Sequence, residues 1–167
     1  MTKENNNILP HGEAVDRIWE LAEKIDICML TTWNGSQQRS RPMSARVRRE
    51  EHAIYFLTDL EGHKLTEIED FPHVSLAWAD NGGHKYAVIA GEAEVLNDRA
   101  KIEELWEKFD KAWWDSASDP QIRLLRVTPD DGEVWDSPNM VVATAKMLVA
   151  AATGAKPDMG DTAKVRM

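Results

Sequence analysis

A single cysteine, Cys28, excludes an intrachain disulfide and a thiolate metal cluster. It sits in the apolar run Ile27-Cys28-Met29-Leu30, which suits a small buried thiol better than a reactive nucleophile. The histidines, at positions 11, 52, 63, 73 and 84, are scattered along the chain, so no metal site is expected. Met1 to Asn7 lack the apolar core of a secretory signal, as expected of a cytoplasmic chain. The longest apolar stretch, Met140 to Thr153, contains Lys146 and is too short to span a bilayer. Positive charge is also scarce overall: the formal net charge is −9, which argues against a general nucleic-acid binder with an extended basic face.

Against that acidic background, the positive charge that exists is concentrated. Five of the ten arginines fall in Arg39-Ser40-Arg41-Pro42-Met43-Ser44-Ala45-Arg46-Val47-Arg48-Arg49. One reading is a solvated face of a surface strand; the other is a local site for a small anion. The remaining composition, 43% hydrophobic and 29% charged over 167 residues, is that of one globular domain with a real core.

Residues 1–11 read as a polar, flexible lead. From Gly12 to Asp26, Val15, Ile18, Trp19, Ala22 and Ile25 recur at helical spacing. Short apolar or alternating runs follow: Ile27–Trp33, Arg41–Arg48, Ala53–Thr58, Val74–Ala79, Tyr86–Leu96, Arg123–Thr128 and Glu133–Asp136. Asn34-Gly35 separates the first two and signals a hairpin. A short helix is expected from His63 to Glu69. A long one is expected from Asp98, as N-cap, to Trp113, with Ile102, Leu105, Trp106 and Phe109 on one face. Gly91 interrupts the longest run, where a bulge would help a sheet close on itself. The pattern predicts a mainly β fold with flanking helices: a small barrel of about six antiparallel strands over residues 12–138. An apolar helix over 139–154, ended by Gly154, packs on the barrel or a partner chain, and a poorly ordered tail occupies 155–167.

In the arginine strip, alternation puts Met43, Ala45 and Val47 on one face and Ser44, Arg46 and Arg48 on the other. Pro42 cannot donate to a ladder, so it marks a strand start, a bulge or an edge. Thr58 ends the next strand with a hydroxyl, and His63-Lys64 opens a helix where an anion is favoured. Arginine, hydroxyl and lysine together suit one phosphate group. Arg46 and Lys64 fit surface ion pairs as well, and Tyr86 and Trp135 fit plain core positions.

The ordered series Arg41-Pro42-Met43, Ile54-Tyr55-Phe56-Leu57-Thr58, His63-Lys64, Val74-Ser75-Leu76-Ala77-Trp78, Gly91-Glu92-Ala93-Glu94 and Val134-Trp135-Asp136-Ser137-Pro138 resembles the pyridoxamine 5′-phosphate oxidase-like flavoproteins. Within them it is most similar to the bacterial general stress protein subgroup, over roughly residues 14–160. The resemblance implies a split barrel that binds FMN at a homodimer interface. It places Arg41, Pro42, Met43, Ser44, Ala45 and Arg46 along the flavin and ribityl chain, with Arg46 a phosphate partner. It puts Leu57 and Thr58 beside the cofactor, His63 and Lys64 at its phosphate, Tyr86 and Trp135 near the ring, and Trp113 and Trp114 toward the partner's flavin. The implied function is a flavin-dependent oxidoreductase of unassigned substrate, with a non-catalytic flavin-binding stress or sensor protein as the alternative. A deazaflavin or haem in the same barrel is a weaker one. Trp135 is followed by Asp136-Ser137-Pro138-Asn139-Met140, without the basic, histidine-containing motif of true pyridoxamine phosphate oxidases. Oxidation of pyridoxamine phosphate is therefore not expected.

Overall fold

The computed structural model describes residues 9–136, 140–154 and 161–167. Most of the flexible lead expected over residues 1–11, and part of the expected tail, lie outside these. Helix α1 (His11–Ile25) buries Ile18, Trp19 and Ala22 of the expected stripe, with Ala14 and Leu21 beside them, while Val15 and Ile25 are partly buried against the core. Among the described residues, eight antiparallel strands follow: β1 (Ile27–Trp33), β2 (Gln38–Ser44), β3 (Arg46–Arg48), β4 (Ala53–Asp59), β5 (His73–Asp80), β6 (Lys85–Leu96), β7 (Ile122–Asp136) and β8 (Asp161–Arg166). Helices α2 (His63–Asp70), α3 (Arg99–Leu105) and α4 (Met140–Thr153) interrupt them.

The strands form one sheet in the order β2-β1-β5-β6-β7-β4-β3, with β8 added on β7. Its two ends, β2 and β3, are consecutive in the chain and meet at Ala45, whose N–H donates to the Asp26 carbonyl at 3.3 Å. The curled sheet is thus closed by a bend in the chain and not by a hydrogen-bonded ladder. That leaves a split between the β2 and β3–β4 sides, which is what defines a split barrel. Pro42, opposite Met29, sits on the edge strand β2, where its missing N–H breaks no inner ladder.

Alternation sorts the residues. Cys28, Leu30, Leu76, Ile89 and Val134 point inward and pack with Phe56 and Ile18 in the main core. A second cluster joins Tyr55, Leu57, Ile102, Leu105, Ile122 and Leu124 on the far side of β4. The outward residues form rows across the sheet. One runs through Pro42, Met29, Ala77, Val88, Glu133 and Lys164. The next pairs Ser44 with Ile27 at one end and Ala79, Tyr86, Trp135 and Thr162 at the other.

The Asn34-Gly35 hairpin is present. Gly35 takes a φ of 93°, and the Asn34 side chain accepts from the N–H groups of Ser36 at 3.0 Å and Gln37 at 2.9 Å. The bulge falls between Ala90 and Gly91, as the glycine predicts.

Four expectations change. The two runs Arg123–Thr128 and Glu133–Asp136 are one strand of 15 residues, because Pro129-Asp130-Asp131-Gly132 continues the ladder across the bulge. Residues 161–166 of the expected tail form β8, held by its ladder to β7, which takes the count beyond six. The long helix stops at Leu105 and resumes as a 3-10 turn, Lys108–Ala112, so Phe109 is 84% exposed instead of buried. Apolar periodicity survived the break because Trp106 still packs on the second core. Finally, Met147, Leu148 and Val149 of α4 are exposed, so no described residue covers this part of the helix.

Candidate functional site

A cleft of about 470 Å3 opens at the split. This lies within the usual range for small-molecule sites, about 300–1,000 Å3. Its walls bring together Pro42, Met43, Ser44 and Arg46 from the kinked edge, Leu57 and Thr58 from the end of β4, Lys64 from the start of α2, and Trp113 and Trp114 from the loop after the 3-10 turn. Ile27, Asp59 and Asp110 complete it. Nine of the residues singled out from sequence therefore meet in one place.

The others lie elsewhere. Ala45 is buried at the kink, and His63 is exposed on the first turn of α2. Tyr86 and Trp135 face each other across β6 and β7 on the outer sheet face, in the row that Ser44 and Ile27 begin. They are neither inner core nor cleft wall in this chain. Arg39 is exposed, Arg48 lies 3.9 Å from Glu104, and Arg49 pairs with Asp16, so these three belong to the solvated strand end.

Several polar groups in and beside the cleft have no partner. Thr58 is 3% exposed and its Oγ1 makes no hydrogen bond. The indole Nε1 of Trp114 is likewise buried and unpaired. Arg41 donates through Nη2 to Glu67 at 3.0 Å, while its Nη1 is buried without a partner. Each buried orphan costs about 1–3 kcal/mol, and a ligand carrying acceptors removes that cost. Lys64 forms no ion pair with a described residue. Burial and then repulsion from Arg41 hold its pKa below the usual lysine value, against the pull of Asp59 and Glu67. Glu67 in turn is pushed up by burial but carried below the ordinary carboxylate range by hydrogen bonds from Thr32 and Arg41. The cleft end near α2 therefore holds a Lys64 ammonium, an Arg41 Nη1 and a Thr58 hydroxyl with unused donors, with Asp59 and Glu67 beside them.

Arg46 differs. It is 6% exposed, and its guanidinium is in use on every side. Nη2 donates to Asp110 at 2.9 Å, Nη1 donates to Ser44, and Nε lies 3.3 Å from Glu107 and 3.4 Å from the Leu105 carbonyl. The phosphate partner expected from the sequence is a guanidinium already paired inside the chain. Removing one member of such a buried pair leaves the other uncompensated, at about 3–5 kcal/mol. Asp110 escaped sequence reasoning because the segment read as one helix, with Asp110 on its polar face. Ile27 escaped because β1 read as uniformly apolar; its alternation with buried Cys28 was the available signal.

A curled antiparallel sheet, split at one kinked edge with a cofactor-sized cleft in the split, defines the pyridoxamine 5′-phosphate oxidase-like class of barrel. A family model described as pyridoxamine 5′-phosphate oxidase like matches residues 13–158, and the chain belongs to that family. It is 33% identical over 81 residues to general stress protein 26 of Bacillus subtilis strain 168. That match covers 47% of this chain and 58% of the relative, so it spans less than two thirds of that protein's length. Among solved structures, a protein described as general stress protein 26 from Jannaschia sp. CCS1 superposes with a TM-score of 0.76 at 26% identity, covering 95% of this chain and all of that one. The general stress FMN/FAD binding protein of Xanthomonas citri shares the fold at a TM-score of 0.67 and 24% identity, over 75% of this chain and 89% of that one.

Proposed function

We propose that this protein is an FMN-binding flavoprotein, acting as a homodimeric flavin-dependent oxidoreductase on a small molecule. The observation that carries the reading is the set of unsatisfied donors: Thr58 Oγ1, Arg41 Nη1 and Trp114 Nε1, with the unpaired Lys64. A single phosphate with several acceptor oxygens matches Thr58, Arg41 and Lys64. The flat, mostly apolar walls from Pro42, Met43, Leu57 and Ile27 suit a planar ring. The description of the Xanthomonas citri relative as FMN/FAD binding supports a flavin. When bound, the flavin supplies the hydride chemistry, and the chain binds and orients it and excludes water on the barrel side.

The outer sheet face supports the homodimer in this reading. Ile27 is 51% and Met29 41% exposed there, and Ile27 also lines the cleft. A second copy covering that face reaches the mouth of the site, which is how Tyr86 and Trp135 would act at the partner's flavin.

A flavin carrier or sensor without turnover is favoured by one observation. Two carboxylates near the site are already ion-paired: Asp110 with Arg46, and Asp136, next to Trp135, with Arg17 and Lys85. The purified protein tests the first reading through its visible spectrum and the mass of whatever is released on denaturation. Bound FMN, or tight uptake of added FMN, is expected. A colourless protein that refuses FMN, or one that releases haem or a deazaflavin, defeats the reading. Rapid bleaching by NADH or NADPH separates an oxidoreductase from a passive binder.

A further inference from the structure

We propose that Arg46 and Asp110 are a positioning pair that holds the tryptophan-bearing strap, residues 105–114, against the cleft, and that Arg46 is not a phosphate ligand. The hydrogen bonds lead from one to the other. Arg46 reaches the strap at three points: the Leu105 carbonyl at 3.4 Å, Glu107 at 3.3 Å and Asp110 at 2.9 Å. Asp110 spends its second carboxylate oxygen on the Glu107 N–H at 2.7 Å, which closes the 3-10 turn. Its backbone carbonyl then accepts from the N–H groups of Trp113 at 2.9 Å and Trp114 at 3.1 Å. Both tryptophans of the cleft wall therefore hang from the one residue that Arg46 clamps.

Leu105, Trp106 and Trp114 pack on the second cluster, but the turn between them has no such anchor. Trp113 is 79% exposed, and Phe109 points to solvent. Trp114 touches Trp106, with ring centroids 6.4 Å apart, and otherwise leaves its buried Nε1 unpaired toward the cleft. Each Arg46 nitrogen already has a partner within the chain, and its strongest, charge-paired contact is to Asp110, so an incoming phosphate competes with that carboxylate. The unused cationic donors are instead at Arg41 and Lys64. Two functions are thus separated in space: a phosphate end by α2, and an aromatic wall whose position the Arg46–Asp110 pair sets.

The inference rests on the flavin reading for its choice of ligand, and the experiment keeps the two apart. FMN and riboflavin differ by the phosphate alone, so the ratio of the riboflavin Kd to the FMN Kd reports phosphate ligation, whereas the wall affects both. Arg46→Gln and Asp110→Asn are expected to weaken FMN and riboflavin equally, each about tenfold through lost preorganisation, with the ratio unchanged. Lys64→Ala is expected to lower the ratio about tenfold by removing a charge-assisted contact. A ratio that falls in Arg46→Gln as it does in Lys64→Ala makes Arg46 a phosphate ligand and overturns the proposal. Tighter FMN binding by Asp110→Asn overturns it too, since Asp110 would then be a competitor for Arg46.

Hydrogen exchange in the flavin-free protein is the second readout. Both variants are expected to speed exchange of the Trp113 and Trp114 amides while β6 and β7 stay protected; unchanged exchange overturns the proposal. If the wild-type protein binds neither flavin, the flavin reading falls and the exchange experiment still decides the strap. Arg46→Lys, which keeps the charge but loses the fork, carries the same tests if Arg46→Gln does not fold.

Discussion

Lys64 is the side chain whose chemistry can be followed most directly. Burial, then Arg41, lowers its pKa from 10.5, so the folded chain disfavours its charged form. Between that lowered value and 10.5 the unfolded chain holds a proton that the folded chain has released. Lys64 therefore adds to stability as pH rises through this window. An anion bound beside it acts in the opposite sense, raising the pKa and drawing a proton in. FMN affinity is accordingly expected to be highest below the lowered pKa and to fall as pH rises through it. Riboflavin affinity should stay flat across the same range, and Lys64→Ala should abolish the slope; fluorescence titrations across this range check both. Cys28 is the contrasting case: burial, then Asp26, pushes its thiol up to about 12, which suits packing and not reactivity. Lys64 was legible in the sequence because a lysine at a helix start is a recognisable anion signal. The pairing of Arg46 was not, since its partner Asp110 is 64 residues away.

Among the elements, the bulge between β6 and β7 stands out: Asp130 of β7 is the extra residue, opposite the Ala90–Gly91 step of β6. A side chain added at Gly91 would overlap the Thr128 carbonyl oxygen and approach Thr128 C at 3.0 Å and Pro129 Cα at 3.1 Å. These are backbone atoms of β7, which cannot swing aside. Gly91→Ala is expected to destabilise the fold by about 1–3 kcal/mol, the usual range for overpacking, as read from the urea midpoint at unchanged slope. β1 and β6 matched their sequence runs within a residue, because turn residues bound both runs. The broken helix after Leu105 did not match. Its apolar spacing continued past Trp106, while the bend that frees the strap is made by tertiary contacts to Arg46.

For the whole molecule, the outer sheet face and α4 leave apolar side chains in water that one chain does not cover. Ile27 and Met29 stand in adjacent rows of that face, with Ala77, Val88, Tyr86 and Trp135 beyond them. Ile27→Asp with Met29→Asp is expected to shift the protein from dimer to monomer in sedimentation equilibrium. FMN affinity should fall with it, because the site loses its second wall. A monomeric wild type, or a double variant that stays dimeric, removes the outer face from the interface.

The split barrel was accessible from the chain alone because it rests on local information. Period-2 runs, a hairpin at Asn34-Gly35, a bulge at Gly91 and a proline on an edge are each decided by neighbours within a few residues. Nine of the cleft's residues were legible through the family resemblance, and Arg46, Thr58 and Lys64 among them also through their own chemistry in a strand, at a strand end and at a helix start. The division of labour among the cations was not. Arg41 and Arg46 are five positions apart in one basic strip, and both look available. The fold turns Arg41 toward Glu67 with half its fork unused, and Arg46 into an ion pair with Asp110. Which charge remains unsatisfied depends on partners brought together across the sheet, and no local pattern encodes that distance.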